Sequence, residues 1–120
     1  MVALVPVMPD VADVLAGMLA AGPELGVRPV HLGPVVQLCD EAGRPLVSIE
    51  LPVLVQVPGE VERLLGPELA GRVQDPVWWV EARAPSARAG ARDPGALARR
   101  FADALAERLG GLVWPPEDAG

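Results

Sequence analysis

The sequence contains no lysine, threonine, tyrosine or asparagine, and only one histidine, one cysteine, one phenylalanine and two serines among 120 residues. Each shortage removes a class of chemistry. A zinc site needs three or four Cys, His or carboxylate ligands, and His31 with Cys39 falls short of such a set. A lone cysteine excludes an intrachain disulfide, which argues against a stapled secreted scaffold. Ser48 and Ser86 are the only hydroxyl side chains, so most hydrolytic and phosphoryl-transfer constellations have too few residues to draw on. The strings GxxxxGK[ST], GxGxxG and GxSxG are absent. No apolar run nears the roughly 20 residues that span a bilayer. Residues 1–9 are apolar but lack the basic region and cleavage signature of a signal peptide. These absences lead to the expectation of a cytoplasmic chain with no metal and no cofactor.

What is present is Val, Leu, Ala, Gly, Pro and Arg in quantity. All have GC-rich codons, which points to a high-GC genome of the actinobacterial kind. Apolar residues make up 51% of the chain, enough for a packed core and against intrinsic disorder. The length suits one domain, expected over residues 1–114, with residues 115–120 as a flexible tail. Aromatic residues are limited to Trp78, Trp79, Phe101 and Trp114, so that core is mainly aliphatic. The net charge of −6 is uneven: residues 1–60 hold seven acids and two Arg, residues 61–120 nine acids and eight Arg. An acidic chain repels phosphate backbones, so nucleic-acid binding is disfavoured.

Periodicity supplies the elements. Residues 2–8 are apolar throughout and predict a strand, with Pro6 near its end. Asp10 predicts a helix N-cap with Asp13 in the first turn. The helix covers residues 11–21, with Val11, Val14, Leu15, Met18 and Leu19 as the stripe packed on a sheet. Strands follow near residues 27–32 and 35–39, then a turn at residues 40–44 and a return strand over 45–51. On that strand Val47, Ile49 and Leu51 share one face, and Leu46, Ser48 and Glu50 the other. Residues 52–58 are extended, residues 60–65 form a short helix, and residues 68–73 add a turn or two. Residues 77–84 form a strand with Trp78, Val80, Ala82 and Ala84 on one face and Val77, Trp79, Glu81 and Arg83 on the other. A small, polar loop spans residues 85–92. Asp93-Pro94 opens a last helix, Gly110-Gly111 closes it, and residues 112–114 form a final strand. The expected fold is α+β: a mixed, largely antiparallel sheet with helices on one face. The expected topology is ferredoxin-like, with an added C-terminal helix and strand.

Three groups of residues are candidate sites. Trp79, beside Glu81 and Arg83 on the strand face away from the helices, has the features of an interface anchor. Arg88, Arg92, Arg99 and Arg100 surround the loop and the start of the last helix, where an anion could meet a helix N-terminus. His31 and Cys39, with Trp79, would line an apolar pocket if the fold enclosed a small molecule. The acidic pair Asp40-Glu41 sits in a turn and reads as solvated turn chemistry.

The ending, residues 97–106 followed by Leu109-Gly110-Gly111-Leu112-Val113-Trp114-Pro115, resembles the closing helix and strand of small actinobacterial α+β proteins. Similar endings occur in immunity-type and secretion-neighbourhood proteins of bacterial conflict systems. The resemblance covers about a fifth of the chain and implies no functional residue. Scarce catalytic side chains and a Trp beside charges favour a non-catalytic protein-binding module, of an accessory, immunity-like or assembly kind. Its expected partner is another protein or a second copy of itself through the sheet face, with no nucleic acid and no membrane. The alternative expectation is a small-molecule-binding or cofactor-free enzyme of dimeric ferredoxin-like build.

Overall fold

A computed structural model describes residues 1–29, 35–73, 76–84 and 93–116. The described residues form seven strands and three α-helices, in the order β1 (Val2–Val5), α1 (Val11–Ala21), β2 (Gly26–Pro29), β3 (Val35–Cys39), β4 (Pro45–Glu50), β5 (Val53–Val55), α2 (Glu60–Leu65), β6 (Val77–Arg83), α3 (Pro94–Leu109) and β7 (Leu112–Trp114). A single 3-10 turn, Pro67–Leu69, follows α2. The strands form one open sheet in the order β2-β3-β4-β6-β1-β7, and β5 pairs with the first half of β6. Every described pairing is antiparallel. The sheet is therefore not mixed as the sequence led us to expect: the strands joined by α1 and by α3 are separated by others and never pair.

Local chemistry fixes the helix ends. The Asp10 and Asp13 carboxylates accept each other's backbone N–H at 2.8 and 2.9 Å, a reciprocal capping box on α1. Asp93 Oδ1 accepts from Gly95 N at 3.1 Å and Ala96 N at 3.4 Å, with Pro94 at the first helical position of α3. Gly110 ends α3 at φ 77°, a left-handed conformation that costs glycine little. The two long helices lie side by side. Arg108 Nε donates to Asp13 Oδ1 at 2.6 Å, which ties the end of α3 to the start of α1. A Cβ on Gly17 would stand 2.9 Å from the Phe101 ring, so glycine permits their close approach.

The main core lies between these helices and the sheet. Phe101, Leu105 and Leu97 of α3 and Met18 and Ala21 of α1 meet Ala3, Leu38, Val47, Ile49, Val80 and Ala82. Parity on β6 follows the expected alternation at Val80 and Ala82, but Trp78 is only half-buried and stands outside this core. Leu46 departs from alternation too. It is buried with Val47 in the same core because the β3–β4 register shifts between Leu38 and Cys39, next to Pro45.

Helices do not keep to one face. Val61 of α2 and Leu69 of the 3-10 turn join Val2, Leu4 and Val77 in a second, smaller core on the opposite side of the sheet. The short helix predicted from residues 60–65 thus does a job the sequence did not reveal: it covers part of the face expected to be open. Among the described residues, no helix is long and apolar enough to cross a membrane.

Candidate functional site

The sheet face turned away from α1 and α3 has two unlike halves. Over β1, β7 and the start of β6, α2 and the 3-10 turn cover it, and Trp79, Leu112 and Trp114 pack against that small core. Across β2, β3, β4 and the end of β6, polar side chains replace aliphatic ones. Strand register sets Arg28, Gln37, Ser48 and Arg83 side by side on four neighbouring strands. An Arg28 guanidinium N–H donates to Gln37 Oε1 at 3.0 Å, and the Gln37 amide donates to Ser48 Oγ at 3.4 Å.

The row continues into the three residues singled out on β6. Arg83 Nε donates to the Glu81 carboxylate and lies 3.6 Å from Glu50 Oε1. The other Glu81 oxygen accepts from the Trp79 indole Nε1 at 3.3 Å. Trp79, Glu81 and Arg83 thus form one hydrogen-bonded chain, with Trp79 half-buried at the boundary between the covered and polar halves. Val53 pairs with Trp79 across β5 and β6 and keeps 58% of its surface exposed, so an aliphatic side chain faces solvent beside the indole.

Electrostatics limits what this surface can do. The Glu81 hydrogen bond, then the charges of Glu81 and Glu50, hold the Arg83 guanidinium even further above its ordinary pKa. The cation is therefore permanent, but two carboxylates already compensate it, and a bare phosphate finds little free positive charge there. Ser48 Oγ has an amide as its hydrogen-bonding neighbour. An amide cannot take its proton, so this hydrogen bond does not activate the hydroxyl as a nucleophile. Among the described residues, no group of three or more His, Cys, Asp or Glu side chains could hold a metal ion.

Two open clefts meet at Arg83. One of about 430 Å³ is lined by Met1, Glu81, Arg83, Gly95 and Ala98, among others. The second, of about 400 Å³, is lined by Leu46, Ser48, Arg83 and Ala84, among others. A third cleft of about 370 Å³ lies over the covered half, with Leu4, Val77, Leu112 and Arg72 in its walls. Cys39 and Trp79 line none of the three.

The remaining sequence-predicted residues are scattered. Cys39 is buried at the end of β3; His31 lies outside the described residues, as do Arg88 and Arg92. Arg99 donates to the Pro115 carbonyl at 2.6 Å and lies 3.7 Å from Asp103, so it fastens the chain after β7 onto α3. Arg100 is exposed on α3. The Asp93 carboxylate already occupies the N–H groups at the start of α3, where an incoming anion would meet a negative charge.

Sequence reasoning missed Arg28, Gln37, Ser48 and Glu50 as members of this face. Their signal was the polar position in each alternating strand. What periodicity lacks is register, which decides that Gln37 faces Ser48 and Ser48 faces Arg83. Comparison with known proteins finds no matching family model, no matching curated protein and no matching solved structure.

Proposed function

We propose that this chain is a non-catalytic protein-binding module that engages its partner through the polar half of the sheet face, with Trp79, Glu81 and Arg83 at the centre. The observation that carries the reading is the hydrogen-bonded chain from Trp79 Nε1 through Glu81 to Arg83, flanked by exposed Val53. Protein interfaces combine an aromatic or aliphatic centre with a polar rim of both charge signs. Here Trp79 and Val53 supply the first, and Arg28, Glu50, Glu81 and Arg83 the second. The cleft lined by Ser48 and Arg83 offers a recess for a side chain of the partner. Such a module serves as an accessory, immunity-like or assembly protein.

The finer topology belongs to the same reading. The order β7-β1-β6-β4, with α1 after β1 and α3 joining β6 to β7, supports a ferredoxin-like split arrangement at the centre of the sheet. In this view α3 and β7 belong to the central motif. The hairpin β2–β3 and the segment carrying β5 and α2 are the additions.

The test is capture of a partner from extract of the native host with Arg83→Glu and Trp79→Ala, against Arg100→Glu on the outer side of α3. Recovery of the specific partner falls at least about tenfold for the two sheet-face variants and is unchanged for Arg100→Glu. Equal recovery with all three variants removes the assignment.

A further inference from the structure

The two long helices share one layer but present opposite chemistry to solvent. The outer side of α3 carries Arg100, Asp103, Glu107 and Arg108, as expected of a surface helix. The outer side of α1 carries Val11, Leu15 and Leu19, exposed by 75%, 48% and 60%, with exposed Ala12 and Ala20 beside them. Met18, Gly17 and Ala21 already fill its inward face. The stripe read from the sequence is thus two stripes, and the second has nothing to pack on within the described residues. Val7 and Met8, just before the helix, are also exposed.

We infer that this face of α1 binds a second copy of the chain, as a two-fold antiparallel helix pair centred on Leu15. Three observations select that occupant. The first is order: Val11 and Leu19 stand four residues to either side of Leu15, so reversing the helix direction lays Val11 on Leu19 and Leu15 on Leu15. This is the self-complementarity that an isologous contact requires. Ala12, Ala16 and Ala20 run alongside and let the two backbones approach.

The second is charge. Copies of a chain carrying −6 repel one another least where they meet with few charges; α1 has no ionisable side chain between Asp13 and its end, although exposed Asp10 borders the stripe at the N-cap. Asp13 itself is held by Arg108. The same feature disfavours a membrane surface, since interfacial helices rely on basic residues for anionic lipid and α1 has none. The third is area. Covering the exposed apolar side chains from Val7 to Ala20 on both copies removes at most on the order of 1,000 Å², the lower end of a specific interface. The pair is consequently weak, with a micromolar dissociation constant, and tightens as salt screens the acidic bodies.

This contact is on the opposite side of the sheet from Trp79, so it is independent of the function proposed above. A pair joined through α1 would carry two Trp79 faces pointing outward and would bind a repeated partner with avidity.

Sedimentation velocity from about 1 to 500 µM tests the inference, together with light scattering in low and high salt. The wild type passes from monomer to dimer across that range. Leu15→Glu brings two carboxylates together at the dyad and raises the dissociation constant more than about a hundredfold, with an unchanged far-UV spectrum because Leu15 is exposed. Leu15→Cys, a milder change, forms a disulfide-linked dimer on mild oxidation, whereas Arg100→Cys does not. A wild type that stays monomeric at 500 µM overturns the inference. So does a dimer that Leu15→Glu leaves intact, which would place the contact elsewhere. A monomer that sediments with neutral phosphatidylcholine vesicles would assign α1 to a lipid surface instead.

Discussion

Trp79 has neighbours of two kinds. One edge of its indole packs on the small core under α2, and its N–H reaches Glu81. The two roles separate by substitution. Trp79→Phe keeps one aromatic ring but loses the pyrrole ring with its hydrogen bond, at a cost of about 1 kcal/mol. Trp79→Ala loses the packing too and costs about 2 kcal/mol, less than a fully buried Trp because the residue is half-exposed. Urea denaturation of the two variants measures both. Equal losses would mean that the indole packs less closely on α2 than the structure indicates. Asp40 organises the turn between β3 and β4. It was expected to be a solvated turn acid, but it is buried and accepts from Ala42 N, Arg44 N and Arg44 Nε, each at 2.9 Å. The Arg44 and Ala42 backbone N–H groups, with help from the Arg44 guanidinium, hold its pKa below the ordinary carboxylate value. Folding thus favours the charged form. The resulting stability is complete above about pH 5, where the unfolded carboxyl is ionised too, and is lost as pH falls through the lowered value. Asp40→Asn keeps one acceptor and loses the charge, so its Tm at pH 7 drops by about 5 °C. The gap from wild type closes as the pH falls through that lowered value. A gap that persists at low pH would show that shape, not charge, is what Asp40 supplies.

At the scale of elements, the α1–α3 pair depends on one small residue. Gly17→Ala improves helix propensity by about 1 kcal/mol but drives a methyl against the buried Phe101 ring. Overpacking costs more than propensity returns, and the variant is destabilised by about 1–2 kcal/mol net. Phe101→Leu supplies the check, because a smaller side chain opposite Gly17 makes room for the methyl. The double variant Gly17→Ala, Phe101→Leu loses less than the two single changes combined. Strict additivity would mean that the two positions do not touch. The elements also show how much could be read in advance. The caps Asp10 and Asp93, the stop at Gly110-Gly111 and the hairpin around residues 40–44 were legible because each rests on local backbone chemistry. The polar row from Arg28 to Arg83 was only half legible. Its residues stood at the right alternate positions, but register came from long-range pairing and from the shift at Cys39. The outward stripe of α1 was misread because Val11, Leu15 and Leu19 satisfy helical spacing as well as Val14 and Met18 do. Only the position of α3 decides which set is buried.

At the scale of the whole molecule, one sheet separates two cores, and the two proposed contact surfaces lie on opposite sides of it. The larger core under α1 and α3 holds Phe101 and most of the fully buried aliphatic residues; the smaller one under α2 borders the polar half-face. The measurement that bears most directly on the proposed function is photo-crosslinking in cells of the native host, with a photoreactive residue in place of exposed Val53 and, as control, in place of Arg100. The account predicts one discrete heavier adduct from position 53, absent when Arg83→Glu is added, and none from position 100. An adduct that survives Arg83→Glu, or one that forms equally from both positions, would contradict it.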